Sequence, residues 1–136
     1  MGTNREIEHI LPDTPTAELR AKWAAENPTF IYDDYKTRLG NLILLEKPIN
    51  IVAGNDFFAA KQAEYRKSSN YHTRSLVELT TVGQNTSITR INEKLESFVE
   101  WNAALIEKRH GLLFALARGV WKTTPIDVLV SCAVNR

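Results

Sequence analysis

The chain has 136 residues, of which 43% are hydrophobic and 24% are charged, and this is the length and composition of one globular domain with its own core. Its one cysteine, Cys132, excludes a disulfide framework and a cysteine-based zinc site, and no apolar run approaches the roughly 20 residues that span a bilayer. The formal net charge of +1 does not by itself indicate nucleic-acid binding. The first residues lack the apolar stretch of a secretory signal. We therefore expect a cytoplasmic single domain over residues 1–136 that does not contact membranes.

The first part of the chain predicts two short strands with helices between them. Residues 6–11 form a β-like run that Pro12 ends, and a helix starts near Thr16 and ends near Glu26. Residues 32–39 predict a second short helix, which Gly40 ends as a left-handed C-cap. The apolar residues 42–45 predict a buried strand.

The second part of the chain predicts mainly helix. Residues 48–54 contain turn-forming residues and predict a loop, after which Asn55 or Asp56 caps a helix over residues 57–67. Residues 68–86 are polar and predict irregular structure, apart from residues 76–79. Apolar side chains then recur at steps of three and four and predict a long helix over residues 87–120, and residues 125–134 predict a final strand or incomplete element.

Three polar clusters stand near these elements. Glu8 and His9 lie at the end of the first predicted strand, where a carboxylate and an imidazole could supply a metal ligand and a general base. Neighbouring side chains of a strand point to opposite faces, so both reach one site only if the strand bends or ends there, as Pro12 allows. Asn41 precedes the second strand, and Asn50 and Asn55 precede the amphipathic helix. Taken singly, the Glu8–His9 pair is more typical of a surface strand, and Asn41 and Asn50 are typical of turns, loops and caps.

Together the clusters resemble the HNH (ββα-metal, or His-Me finger) nuclease motif. They are more closely similar to the C-terminal nuclease domain of GmrSD-type, modification-dependent restriction endonucleases. Glu-His-Ile-Leu-Pro stands at residues 8–12, Leu-Gly-Asn-Leu-x-Leu-Leu at 39–45, the asparagines at 50 and 55, and Phe-x-x-Lys at 58–61. The resemblance covers nearly the whole chain. It implies an α+β fold, with a ββα-metal core embedded in a mainly helical domain that has a long C-terminal helix.

The resemblance also implies a role for each matching residue. His9 is the base that activates water, Glu8 is a metal ligand, and Asn41 holds the loop that orients the histidine. Asn50 matches the last motif position near the metal and is expected to serve both as a catalytic residue and as a metal ligand, although Asn55 stays an alternative. Carboxylate and amide oxygens are hard ligands, which favours one Mg²⁺ or Mn²⁺ ion.

Basic residues could contact the DNA backbone. Residues 61–74 contain Lys61, Arg66 and Lys67 with few acidic neighbours, which indicates either a phosphate-binding surface or a solvated helix face. Arg109 falls on the apolar stripe of the long helix. It is either structural, as an ion pair or a snorkelling side chain, or it reaches the active site and holds a phosphate or Glu8. His72 and His110 are expected at the surface.

The resemblance implies a function and partners. We expect a metal-dependent endonuclease that hydrolyses double-stranded DNA, base-modified or foreign phage DNA in particular, and that is the C-terminal fragment of a larger protein. An upstream nucleotide-dependent sensor domain is the expected partner, and two copies could pair to cut both strands. The alternative is a catalytically silent HNH fold that binds DNA or protein.

Overall fold

The computed structural model describes residues 4–80 and 93–121. These residues form a two-stranded sheet and several helices, which confirms the α+β class. In chain order the elements are β1 (Arg5–His9), α1 (Ala17–Glu26), α2 (Tyr32–Lys36), a 3₁₀ turn (Leu39–Asn41), β2 (Leu42–Glu46), α3 (Lys47–Ala53), α4 (Phe58–Tyr65), α5 (Tyr71–Arg74) and α6 (Ala103–Trp121). No helix among these residues is long and apolar enough to cross a membrane.

The two predicted strands pair with each other, and their pairing positions the ends of both. β1 and β2 are antiparallel, with His9 opposite Leu42 and Arg5 opposite Glu46. Because side chains alternate along a strand, one face carries Glu8 and Ile43, which are buried, and the other carries Ile7, which is 60% exposed. The sheet therefore has one face against the core and one open face.

The buried side chains of the described residues form two clusters, and the segment after β1 contributes Ile10 to the first and Leu11 to the second. The first packs α3 and α4 against the inner face of the sheet and includes Ile43, Leu45, Phe58 and Tyr65. The second packs α1 and α2 against the start of α6, around Trp23 and Ile106. Trp101 packs against both clusters and joins them.

The predicted first helix is confirmed. Thr16 is its N-cap, and the Thr16 hydroxyl accepts a hydrogen bond from the Leu19 N–H at 3.2 Å. The helix ends at Glu26, and the following Asn27 donates its N–H to the Trp23 carbonyl. Proline at 28 then disfavours further helix, as expected.

Gly40 is not a left-handed C-cap, so that prediction is wrong. It lies inside the 3₁₀ turn, and among the described glycines only Gly54 has a positive φ, of 56°. Gly40 is instead needed for close packing, because a Cβ at this position would stand 2.0 Å from the Ile106 carbonyl oxygen in α6.

The predicted loop over residues 48–54 is also wrong, because α3 occupies this region. Pro48 stands in the first turn of α3, where the missing N–H costs no helical hydrogen bond. The next helix starts later than predicted and takes Phe57 as its N-cap. Asp56 accepts from the Phe57 N–H, while Asn55 donates to the Thr14 hydroxyl, so neither is the cap residue.

The long C-terminal helix is shorter than predicted within the described residues. It begins at Ala103, because the Asn102 side chain accepts from the Leu105 N–H and the Asn27 side chain accepts from the Ala103 N–H. Residues 93–102 are not helical, and α5 lies in the region predicted to be irregular. The predictions for residues 81–92 and 125–134 fall outside the described residues.

Candidate active site

His9 is the last residue of β1, and its main chain is fixed on both sides. Its carbonyl accepts a hydrogen bond from the Lys61 ammonium at 3.0 Å, and the next N–H, of Ile10, donates to the Asn41 carbonyl at 3.0 Å. The half-buried imidazole has no hydrogen-bond partner within residues 4–80 and 93–121, and neither ring nitrogen is enclosed. The ring is therefore held at a fixed point of the backbone with its nitrogens available to solvent.

Asn41 fastens the turn that follows His9. The side chain is fully buried, and its Oδ1 accepts from the Leu11 N–H at 2.7 Å while its Nδ2 donates to the Leu11 carbonyl at 2.9 Å. Nδ2 also donates to the Lys36 carbonyl at 2.8 Å, and Trp101 Nε1 donates to Oδ1 at 2.9 Å. The loop-holding contact that the sequence predicts for Asn41 is thus present, since both polar groups of Leu11 are bonded to this one amide.

Arg109 supports the same turn from α6. Its Nη1 donates to the Gly40 carbonyl at 2.6 Å and to the Leu42 carbonyl at 3.0 Å. Burial lowers the pKa of Arg109 to about 10. Arg109 is 7% exposed and its guanidinium faces the turn, so the structure does not support a phosphate contact by this residue. The ion pair expected as the structural alternative is not found among the described residues either, because Arg109 donates to main-chain carbonyls instead.

Glu8 points to the inner face of the sheet, into a buried polar cluster with Lys61 and Tyr65. Its Oε1 accepts from the Lys61 ammonium at 2.5 Å and from the Tyr65 hydroxyl at 3.0 Å. Burial lowers the pKa of Lys61, while the neighbouring Glu8 charge opposes that effect. Burial and the Glu8 charge together raise the pKa of Tyr65 well above its usual value.

This cluster corrects the prediction for Lys61. The side chain is 1% exposed, so it has no surface with which to touch a DNA phosphate, and its charge is paired inside the domain. The Phe-x-x-Lys spacing placed Lys61 one turn after Phe58 on a predicted helix but could not show which way it points. By contrast, Arg66 and Lys67 lie at the surface, as predicted, where they pair with Glu78 and Glu64.

The two candidate asparagines are in different places. Asn50 lies in α3, and its Nδ2 donates to Oε2 of Glu6 at 3.2 Å, which brings it to the face of β1 that also carries Glu8. Asn55 is exposed and donates to Thr14. The structure therefore places Asn50, not Asn55, beside the strand that ends in His9.

Glu6 is a neighbour of this site that the sequence reasoning missed. It is two residues before Glu8, on the same face of the strand and about 7 Å away along it. Hydrogen bonds from Asn50 and Lys47 lower its pKa. The alternation of Glu6 and Glu8 along a strand was the available signal.

The donor atoms in this region suit a hard divalent cation. Glu8 Oε2 accepts no hydrogen bond from the described residues and is not enclosed, and the Asn50 amide uses only its nitrogen in the bond with Glu6. Free carboxylate and amide oxygens are the ligands that Mg²⁺ and Mn²⁺ prefer. Within the described ranges no three His, Cys, Asp or Glu side chains converge on one point, so a cation here would keep several water ligands.

A cavity of about 400 Å³ is lined in part by the residues that follow His9, Ile10 to Pro12. Its walls come from residues 10–12, α1, the start of α4 and residues 99–102, and include Trp23, Phe57 and Trp101. His9, Glu8 and Asn50 do not line this cavity, so it is separate from the candidate site that these residues form. One of its lining residues is Leu11, whose backbone is hydrogen-bonded to Asn41.

Comparison with known proteins assigns the chain to the restriction endonucleases. More particularly, the family model for the C-terminal domain of GmrSD restriction endonucleases matches residues 2–116, and the chain belongs to this family. The match includes β1, the turn at Asn41, α3 and α4. No curated protein and no solved structure matched the chain.

Proposed function

We propose that this domain is an HNH-type, metal-dependent endonuclease that hydrolyses DNA phosphodiester bonds, with His9 as its general base. The observation that carries the proposal is the set of hydrogen bonds from Asn41 to Leu11, which fixes the turn directly after His9. Family membership supports DNA as the substrate. The order of β1, β2 and α3, with His9 at the end of the first strand and Asn50 on the helix, agrees with a ββα-metal core.

His9 can perform the proton transfer that phosphodiester hydrolysis requires. A neutral imidazole accepts a proton from water near pH 7, and the water oxygen then attacks phosphorus while one P–O bond to the leaving sugar oxygen breaks. The free nitrogens of His9 meet this need, since neither is used by the described residues. Asn41 takes no part in the proton transfer and acts by holding the backbone next to the base.

Glu8 and Asn50 are the residues that would hold the divalent cation. A bound Mg²⁺ or Mn²⁺ supplies charge neutralisation on the phosphate and stabilises the leaving oxygen. Glu8 offers Oε2, and Asn50 offers its amide oxygen from α3, at the strand face that also carries Glu6. Exposed Arg66 and Lys67 provide positive charge for the DNA backbone on the end of α4.

Family membership supports a proposal for the biological setting. We propose that the domain cuts base-modified or foreign phage DNA as the C-terminal part of a larger enzyme, with an upstream nucleotide-dependent domain as partner, and that two copies pair to cut both strands. The modified-base preference rests on the family alone.

Plasmid nicking tests the proposal. Supercoiled plasmid is incubated with the wild type in Mg²⁺ or Mn²⁺, with and without chelator, alongside His9→Ala and the control His72→Ala, which changes an exposed histidine. We expect cleavage by the wild type and His72→Ala, and none by His9→Ala or after chelation. Equal cutting by His9→Ala would reject the mechanism, and binding without cutting by the wild type would favour a silent DNA-binding module.

A further inference from the structure

Lys61 is the point at which the two residues of the Glu-His pair are held together. Its ammonium contacts Oε1 of Glu8 at 2.5 Å and the main-chain oxygen of His9 at 3.0 Å. The side chain is 1% exposed, and it reaches the end of β1 from the middle of α4. One charged group therefore fixes both the carboxylate that would bind the cation and the backbone that carries the base.

We infer that Lys61 is a positioning residue of the active site, which acts through Glu8 and His9 and does not touch DNA. This inference rests on the proposed nuclease function. A charge buried at this depth needs a partner. The partners of Lys61 are Glu8 and the main chain of His9, the two residues that the reaction needs in fixed positions.

The geometry divides the two oxygens of Glu8 between two tasks. Lys61 and Tyr65 both donate to Oε1, which fixes the rotation of the carboxylate. Oε2 accepts no hydrogen bond from the described residues and is not sealed from solvent, so it is the oxygen that is left for a cation. Without the ammonium, the carboxylate can turn, and the His9 carbonyl loses its side-chain donor.

The inference predicts a particular split of kinetic effects. Misplacing a reacting group by about 1 Å lowers the rate about a hundredfold, so Lys61→Met is expected to lower kcat at least tenfold per folded molecule. The half-saturating Mg²⁺ concentration does not rise, because the variant also removes a positive charge that repels the cation. The KM for DNA and its salt dependence are unchanged, since Lys61 touches no phosphate.

The control separates positioning from loss of stability. Leu19→Ala truncates an apolar side chain of the other core cluster, so it lowers stability without removing a hydrogen bond of Glu8, His9 or Lys61. Both variants are compared at a temperature at which circular dichroism shows them folded. We expect Leu19→Ala to keep the wild-type kcat. Should Lys61→Met not fold, Lys61→Gln replaces it, because its neutral and shorter side chain cannot reach both acceptors, and the same fall in kcat is expected.

A second measurement does not depend on cleavage. The NMR signals of the His9 ring and the Ile10 amide are recorded in each folded protein without metal, and they should move in Lys61→Met or Lys61→Gln but not in Leu19→Ala. Unchanged signals together with unchanged kcat would overturn the inference, as would a raised KM for DNA with a weaker salt dependence, which marks a phosphate contact. A wild type that never cleaves would count against the proposed function, while the NMR comparison would still decide the role of Lys61.

Discussion

Replacing Asn41 with alanine should remove the side-chain hydrogen bonds that hold the turn next to the proposed base. The amide makes four hydrogen bonds, two with Leu11, one with Lys36 and one with Trp101. A buried hydrogen bond contributes about 1 kcal/mol net, so Asn41→Ala is expected to lower the free energy of unfolding by about 4 kcal/mol. That is a large part of the 5–15 kcal/mol typical of a domain.

Asn27 offers a matched control for this prediction. It is the same residue type and is also buried. With the residues that the structure describes, however, its side chain makes only two hydrogen bonds, one donated to the Trp23 carbonyl and one accepted from the Ala103 N–H. The same reasoning gives about 2 kcal/mol for Asn27→Ala. The loss at Asn41 should therefore be about twice the loss at Asn27.

Urea unfolding followed by tryptophan fluorescence measures both losses under the same conditions. If Asn41→Ala costs no more than Asn27→Ala, the account of Asn41 as the junction of the turn is wrong. In cleavage assays at low temperature, folded Asn41→Ala should also be at least tenfold slower than the wild type, because Leu11 is no longer held and the backbone after His9 is free to move. Folded Asn27→Ala should cleave at the wild-type rate.

Three further predictions concern separate parts of the domain. Gly40→Ala forces a Cβ to within 2.0 Å of the Ile106 carbonyl, so it should cost about 1–3 kcal/mol, and an unchanged melting temperature would contradict the close packing. Hydrogen bonds from two serines outweigh burial and lower the pKa of Glu46 from 4.5 to about 2. The ionised carboxylate therefore stabilises the fold fully above about pH 4.5, and about 3 kcal/mol of this stabilisation is lost as the pH falls through 2. The free energy of unfolding in urea should depend less on pH in Glu46→Gln than in the wild type, and equal profiles would refute this. Arg66→Ala and Lys67→Ala should each reduce the salt-dependence slope of DNA binding by about 1 without changing kcat, and an unchanged slope for both would remove them from the DNA surface.

The sequence predicted the elements whose signals are local. Both strands and the first helix follow from short-range patterns, such as Pro12 after a β-like run and Thr14-Pro15-Thr16 as a helix start. The loop-holding contact of Asn41 was also predicted, from family resemblance. These strands and this helix form from interactions between neighbouring residues, and the motif residues lie at their ends.

The features that sequence reasoning missed depend on contacts between distant segments. Lys61 is paired with Glu8 across 53 positions of the chain, and Gly40 is required by α6, which packs against it from residue 106 onwards. No local pattern distinguishes a lysine that is buried in a pair from one on a solvated helix face. The same holds for Arg109, whose partners are the carbonyls of Gly40 and Leu42.

Turn-forming residues also gave a wrong prediction for residues 48–54. Proline, asparagine and glycine are typical of loops, but Pro48 sits in the first turn of α3 and Gly54 follows its last residue. These are the positions that helices accept for both residue types. The difference matters for function, because Asn50 lies on a helix beside β1 and not in a loop.

Chemical rescue tests the central claim, that His9 is the general base, most directly. Cleavage of plasmid in Mg²⁺ is measured for the wild type and for His9→Gly, each with increasing concentrations of free imidazole. The account predicts that His9→Gly is slower by a factor of about 10²–10⁴ and that imidazole restores cleavage in proportion to its neutral form, with no effect on the wild type. Cleavage by His9→Gly at the wild-type rate without imidazole would contradict the account.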